Sequence, residues 1–413
     1  MMPQASLSIV PCHCNPPTRI HKSKRLSVGA FAVEHDDDID EVEEDEDDVF
    51  DFTTSKLDHV KSKDLVEVEC NDQECAISAT DQIHSVWERG LVTFKPKVKS
   101  ILEEHARAAT RVEKHSKGET LGYVTPWNSR GYDWAKKYRA KLTYVSPVWL
   151  QVRENPDHVP IITGTQDIDR RWMLDVKNGV AGQDMLNEGP EIVPRVVYER
   201  NRLVSEDVPV IIDKILELVN KHEFDGIVFE IPVQEGTVDM LQQIGRAFRA
   251  ANKLLILVLS RCSQEGELPV THEMFNELAP LVHRFSINAY DYSMPGPNAP
   301  YTWLEKTLKN MSPMERQKVL MGLPFYGYDN TDAITGSTYI QSLSENEISE
   351  IRWDAKAHEC HHSYSAAQTR SHHVVFYPCL QFLQDRLKLF REQHVGVAIW
   401  ELGQGLEYFY DLL

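Results

Sequence analysis

The chain has 413 residues, enough for one large domain or two ordinary ones, and its 42% apolar content supports a sizeable core. Its formal charge of −19 is concentrated, because residues 34–51 hold thirteen acids with neither lysine nor arginine and leave −6 for the rest. A mildly acidic body argues against a nucleic-acid surface, and no run of about 18 apolar residues is present to span a membrane.

Residues 1–85 read as a disordered acidic leader, since charge repulsion without apolar content cannot sustain a core. The acidic run lacks the turn glycine and spaced terminal Glu of a calcium loop. "ASLSIV" is too short and too weakly flanked for a signal peptide, so no export signal is expected. Seven cysteines give no disulfide framework: Cys12, Cys14, Cys70 and Cys75 fall in the leader, and only Cys262, Cys360 and Cys379 in the body. Cys12-His13-Cys14 lacks the second spaced pair of a zinc site. Residues 86–120 form a helical lead-in, with a helix predicted over Lys97–Arg111.

From Leu121 to Leu413 short apolar runs alternate with amphipathic stretches. The runs are 121–126, 142–150, 192–198, 224–231, 254–260, 285–290, 319–325 and 395–400, each β-branched or aromatic and as long as a buried strand. Helices are predicted over 206–222, 238–251, 271–281 (capped by Thr271), 301–311 and 380–393. Eight strands alternating with helices predict an α/β fold, a (β/α)8 TIM barrel, with an insertion at 327–378 between strands 7 and 8. A doubly wound open sheet is the rival, but no Gly-rich phosphate loop follows the first strand.

A barrel of this kind does its chemistry at the C-terminal ends of its strands. Here those ends carry Trp127, Trp149, Gln151, Glu199, Glu230, Arg261, Tyr290, Asp291, Tyr326, Trp400 and Glu401. Aromatic faces beside amides and carboxylates suit sugars, whose C–H faces stack on rings while hydroxyls meet planar polar groups. The plainer alternative is that the aromatics only close the barrel top. Histidines 358, 361, 362, 372 and 373 cluster in the insertion; solvated loop histidines are expected there rather than a zinc site. No cofactor is expected.

"FDGI", "INAYDY", "GLPFYG" and "GVAIWELGQG" resemble strands 4, 6, 7 and 8 of family 18 glycoside hydrolases, the chitinase family. "LGYVTPWNSRGYD", "YVSPVWLQV", "PGPNAPYTW" and "IWELGQGLEYFYDLL" resemble a chitinase-like branch of it. That branch is secreted or lysosomal and interacts with a sorting receptor of the stabilin type. The family's fourth strand reads D-G-x-D-x-D-x-E. Asp225 and Gly226 match its opening, Val228 replaces the second acid, Glu230 takes the third, and Pro232 stands where the catalytic glutamate belongs. The resemblance implies that this glutamate protonates the glycosidic oxygen while the sugar's own acetamido group attacks. Trp400 matches the tryptophan that floors the central subsite, and Tyr290 with Asp291 the pair that holds the acetamido group and a hydroxyl.

Glu230 is poorly placed to replace the missing acid. Side chains alternate along a strand, so it lies about 6.6 Å deeper than position 232, at about 3.3 Å per residue, whereas a general acid must come within hydrogen-bond reach of its oxygen. The expectation is therefore a non-catalytic carbohydrate-binding protein. Its predicted binding residues are Trp127, Trp149, Gln151, Glu230, Tyr290, Asp291, Tyr326, Trp400 and Glu401. The glycan would be a chitooligosaccharide or a relative, lipopolysaccharide-type glycans among them. A hydrolase with a relocated acid is the alternative, with Glu401, Glu199, Glu235 or Glu230 as candidates. A protein-interaction or sorting module with a vestigial cleft is the third reading.

Overall fold

The structure, a computed structural model, describes residues 83–110, 114–115, 118–179, 189–366 and 371–413. The acidic leader and its four cysteines lie outside the described residues. Ten strands come first: β1 (Thr120–Val124), β2 (Tyr144–Pro147), β3 (Leu150–Glu154), β4 (Pro160–Thr163), β5 (Glu191–Ile192), β6 (Arg195–Tyr198), β7 (Gly226–Glu230), β8 (Leu254–Leu259), β9 (Arg284–Ile287) and β10 (Val319–Pro324). Five more, β11 (Gly327–Asp329), β12 (Asp332–Ile334), β13 (Arg352–Asp354), β14 (Glu359–Ser365) and β15 (His372–Phe376), build the insertion before β16 (Gly396–Trp400).

All eight apolar runs carry strands. Two of them break where proline removes a ladder donor: the second between β2 and β3, just after Pro147, and the third between β5 and β6, at Pro194. The resulting sheet runs β4-β3-β6-β7-β8-β9-β10-β16-β1-β2-β5, and every pairing in it is parallel except β3 with β4. Residues 191–198 reach both ends of this ladder, with Glu191–Ile192 beside β2 and Arg195–Tyr198 between β3 and β7. The sheet therefore curls into a TIM-barrel-like ring.

Inside it, Leu121, Tyr123, Tyr144, Val193, Val228, Ile256, Val258, Leu320 and Ala398 form a separate buried cluster, the filled lumen. Gly226 is required by the curl, since a Cβ there would stand 2.0 Å from the Leu254 carbonyl oxygen of the neighbouring strand. Asp225 beside it is a staple: its carboxylate takes the Ile192 amide at 2.7 Å and the Lys177 ammonium at 2.7 and 2.8 Å.

The predicted helices appear at Val98–Glu104, Val208–Lys221, Glu235–Ala250, His272–Leu278, Tyr301–Asn310 and Leu380–Glu392. Thr271 caps the fourth by accepting from the Met274 amide at 3.1 Å. Helices Ser129–Lys137, Arg170–Asn178 and Gly336–Glu345 were not expected; their short, polar turns carry too few apolar repeats to announce them.

The insertion is an antiparallel sheet in the order β12-β11-β15-β14-β13. Two expectations about it need correction. Cys360 and Cys379 form a disulfide, which sequence spacing could not reveal because the partners meet only through the sheet. Four of the five histidines lie on strands rather than in loops, His361 and His362 on β14 and His372 and His373 on β15, and of the five only His372 is exposed. His362 is buried, His373 Nδ1 lies 2.8 Å from Asp329, and His358 Nδ1 lies 2.6 Å from Asp385. Among the described residues no three His, Cys, Asp or Glu side chains are grouped to hold a metal ion, and no helix is long and apolar enough to cross a membrane.

Candidate carbohydrate site

The site lies at the C-terminal mouth of the ring, where β1, β6, β7, β9, β10 and β16 end. Trp400 closes β16 and is partly exposed. Tyr123 of β1 packs against it with ring centroids 5.2 Å apart, and the Tyr123 hydroxyl meets Ser286 of β9 at 3.0 Å. Burial pushes the Tyr123 phenol above its ordinary range, so it stays protonated and available as a donor.

Arg195 is the unforeseen member. It starts β6 in register with Val228 and reaches up the lumen, its guanidinium 4.8 Å from the Trp400 ring centroid and 5.8 Å from that of Tyr123. There it pairs with Glu230. The two side chains keep 12% and 24% exposure, so the charges face each other in a mostly desolvated place. A charged residue inside a buried apolar run was the signal available in the sequence.

Pro232 is exposed, and its carbonyl accepts from the Thr237 hydroxyl at 2.9 Å in the turn into helix Glu235–Ala250. No carboxyl stands at that position.

A second group forms on the β9 and β10 ends. Asp291 accepts from the hydroxyls of Tyr326 and, at 2.6 Å, Tyr328. Its backbone is left-handed at φ 61°, held by a 2.8 Å hydrogen bond from its amide to Asn298 Oδ1. Arg261 donates to the Asp291 carbonyl. Tyr290 donates to Asn288 Oδ1 at 3.0 Å and lies edge-on to Tyr326. Burial, reinforced by Asp291, lifts the Tyr326 phenol well above its ordinary range, which keeps it a donor to that carboxylate. Asn298 and Tyr328 fell outside the sequence expectation because the insertion and the loop between β9 and helix Tyr301–Asn310 bring them in.

Three expected contacts are enclosed instead. Trp149 is fully buried, donating to the Tyr132 hydroxyl at 2.7 Å and packed edge-on to Trp172, so it has no face for a sugar. Gln151 spends its amide on the Trp149 carbonyl at 2.8 Å and the Thr163 hydroxyl at 2.9 Å. Glu401 is fully buried, accepting from Asn128 Nδ2 at 2.5 Å and the Gly403 amide at 3.0 Å. Desolvation lifts its carboxyl to about 7, a value suited to acid catalysis, yet both oxygens are occupied away from solvent. Trp127 is 64% exposed just beyond β1. Of the remaining carboxylates, Glu199 pairs with Arg153 at 2.7 Å and Glu235 opens an exposed helix turn.

Residues 201–405, which include β7 to β16, match the model of Glycosyl hydrolases family 18. This match covers just under half of the chain. In fold the likeness extends over the ring: a chitinase from Chromobacterium violaceum superposes with a TM-score of 0.59 at 18% identity, covering 71% of this chain and 98% of that one. A GH18 chitinase from Cycas revoluta, solved in complex with (GlcNAc)3, superposes at 0.55 with 12% identity, covering 71% and 97%. At these identities the likeness speaks to the fold. In sequence, the glycosylase YvbX of Bacillus subtilis, described as uncharacterized, is 23% identical over 222 residues, 49% of this chain and 64% of its own length. The chain spans between about half and two thirds of the length of the curated relatives it matches.

Proposed function

We propose that this chitinase-like chain binds glycans of the chitooligosaccharide class without cleaving them. The observation that carries the reading is the Arg195–Glu230 pair beneath Trp400. The carboxylate deepest in the mouth is bound to a cation, and Pro232 supplies no acid above it. Val228, in place of another acid, is sealed in the lumen. Loss of a general acid alone costs about 10²–10⁴ in rate. Trp400 and Asp291 meanwhile stay partly exposed, with Tyr290, Tyr326 and Tyr328 buried around the carboxylate. The (GlcNAc)3 bound by the Cycas chitinase suits this choice of probe.

A hydrolase with a relocated acid finds little support. Glu401 is buried, Glu199 and Glu230 are ion-paired, and Glu235 lies on an exposed helix turn past Pro232. The motifs of 121–133 and 399–413 resemble chitinase domain-containing protein 1, and that likeness is the basis for inferring a secreted or lysosomal location and a stabilin-type receptor. The Cys360–Cys379 disulfide fits an oxidising compartment.

The test is calorimetric titration of the protein and of Trp400→Ala with chitotetraose and chitohexaose. Loss of ring stacking worth about 1–3 kcal/mol weakens binding about 5- to 150-fold at 1.4 kcal/mol per factor of ten. Trp400→Ala that stays folded and binds as the parent does moves the sugar elsewhere, and the sorting-module reading takes its place.

A further inference from the structure

The Asp291 group is held from outside the barrel. Asn298 uses every polar group it has. Its Oδ1 accepts from the Asp291 amide at 2.8 Å, its Nδ2 donates to the Tyr326 carbonyl at 3.3 Å, its carbonyl takes the Tyr292 amide at 2.9 Å, and its own amide donates to Glu359 Oε2 at 3.0 Å. Glu359 Oε1 takes the next amide, of Ala299, at 2.8 Å. Glu359 opens β14 of the insertion and is buried at 3% exposure.

Behind it stands Arg386 of helix Leu380–Glu392, fully buried, with Nη2 3.6 Å from Glu359 Oε1. Its guanidinium also donates to the carbonyls of Ala299, Ala357 and His358 at 2.6–3.0 Å. One cation and one anion thus clamp a loop whose far end is Asp291. A left-handed, non-glycine aspartate is a sparsely populated conformation that persists only where its surroundings over-determine it. The barrel strands supply none of these clamping atoms.

We infer that Glu359 is a positioning residue for the carbohydrate site, fixing Asn298 and through it the backbone and carboxylate of Asp291. This rests on the glycan-binding reading for its ligand but not for its geometry. The insertion thereby has a role in the mouth: it presents Asp291, with Tyr326 and Tyr328, in one orientation before a sugar arrives. Preorganisation of this kind raises affinity by removing an ordering cost from binding.

Protonation offers a readout that packing alone does not. Burial lifts the Glu359 carboxyl to about 7, against the pull of Arg386 and of the two amides, with Asp354 pushing the same way as burial. The neighbouring charges are Arg386 and, around it, Asp385 paired with His358. Neutralising Glu359 weakens its grip on both amides, so site order falls as pH drops through about 7.

The experiment compares the full chain with Glu359→Gln, measuring chitotetraose affinity across that pH range and hydrogen exchange at the Asp291, Asn298 and Ala299 amides. Glu359→Gln presents an NH2 to one of two donors, so a loss of about tenfold in affinity is expected above the titration. Below it the gap between the two proteins closes. Exchange at the three amides should rise by a similar factor while the β8 amides stay protected. Glu359→Gln with parental affinity and unchanged exchange overturns the proposal. If Glu359→Gln does not fold, Glu359→Asp, which keeps the carboxylate but draws it back by one methylene from the Asn298 and Ala299 amides, decides it by the same exchange at the three amides. Parental protein that binds no chitooligosaccharide overturns the glycan reading, and the exchange result still decides the role of Glu359.

Discussion

Arg195 and Glu230 show what a residue pair costs and gives. Each charge is largely removed from water, and their attraction repays the desolvation only while both are present. Arg195→Met should cost about 3–5 kcal/mol of stability, because Glu230 is left charged and unpaired. Arg195→Met with Glu230→Gln should recover most of that loss, read as the coupling energy of a double-mutant cycle from denaturant melts. A single-variant cost near zero would mean that water already solvates the pair. Glu401 gives a pH test. Its folded carboxyl, lifted to about 7 from an unfolded 4.5 by desolvation, holds its proton longer in the folded state. Its contribution to stability is therefore greatest below the unfolded value and is lost as pH rises through about 7. Glu401→Gln mimics the protonated form, so its melting temperature relative to the parent should be higher at pH 8 than at pH 5. The reverse slope would show that the amide of Gly403 and Asn128 keep the charged form preferred.

At the scale of elements, the insertion sheet and helix Leu380–Glu392 are joined covalently and ionically at adjoining positions. Cys360 follows Glu359 on β14, and Cys379 caps the helix that carries Arg386. The bridged cysteines are 19 residues apart. Closing a loop of roughly this size constrains the unfolded chain by about 3 kcal/mol. Cys360→Ala with Cys379→Ala should lower the melting temperature by several degrees, and reductant should lower the parent to a similar value. An unchanged melt on reduction would place the junction's stability in Arg386 and its carbonyl partners instead. Strands and most long helices were legible because a buried strand must be a continuous apolar run and a surface helix must repeat every 3.6 residues. β11–β15 were not, since half-polar strands of three to seven residues lack a continuous apolar run, and helix Gly336–Glu345 buries only Gly336, Tyr339 and Leu343, a repeat too short to stand out.

For the whole molecule, the proposed loss of cleavage rests on three features: Val228 and Pro232 stand where the resembled motif carries acids, and Arg195 pairs with Glu230. No chitooligosaccharide turnover above buffer background is expected from the parent. Pro232→Glu alone should leave turnover at least about 10²-fold below that of an intact acid–carboxylate arrangement, measured with a fluorogenic chitobioside. Turnover restored by that single change would show that the proline was the sole lesion. The sequence by itself determined the barrel strands and the address of their mouth, because strand alternation is a local property. The positions of Tyr290 and Trp400 at the ends of apolar runs, and of Asp291 and Tyr326 just past such ends, were readable for the same reason. Only the tertiary structure decided that Trp149 and Glu401 turn inward, that Arg195 rises under Trp400, and that Glu359, far downstream in the insertion, holds Asp291 through Asn298. Those outcomes depend on ring curvature and on which distant backbone atoms meet, and burial and pairing are properties of that meeting rather than of any stretch of chain.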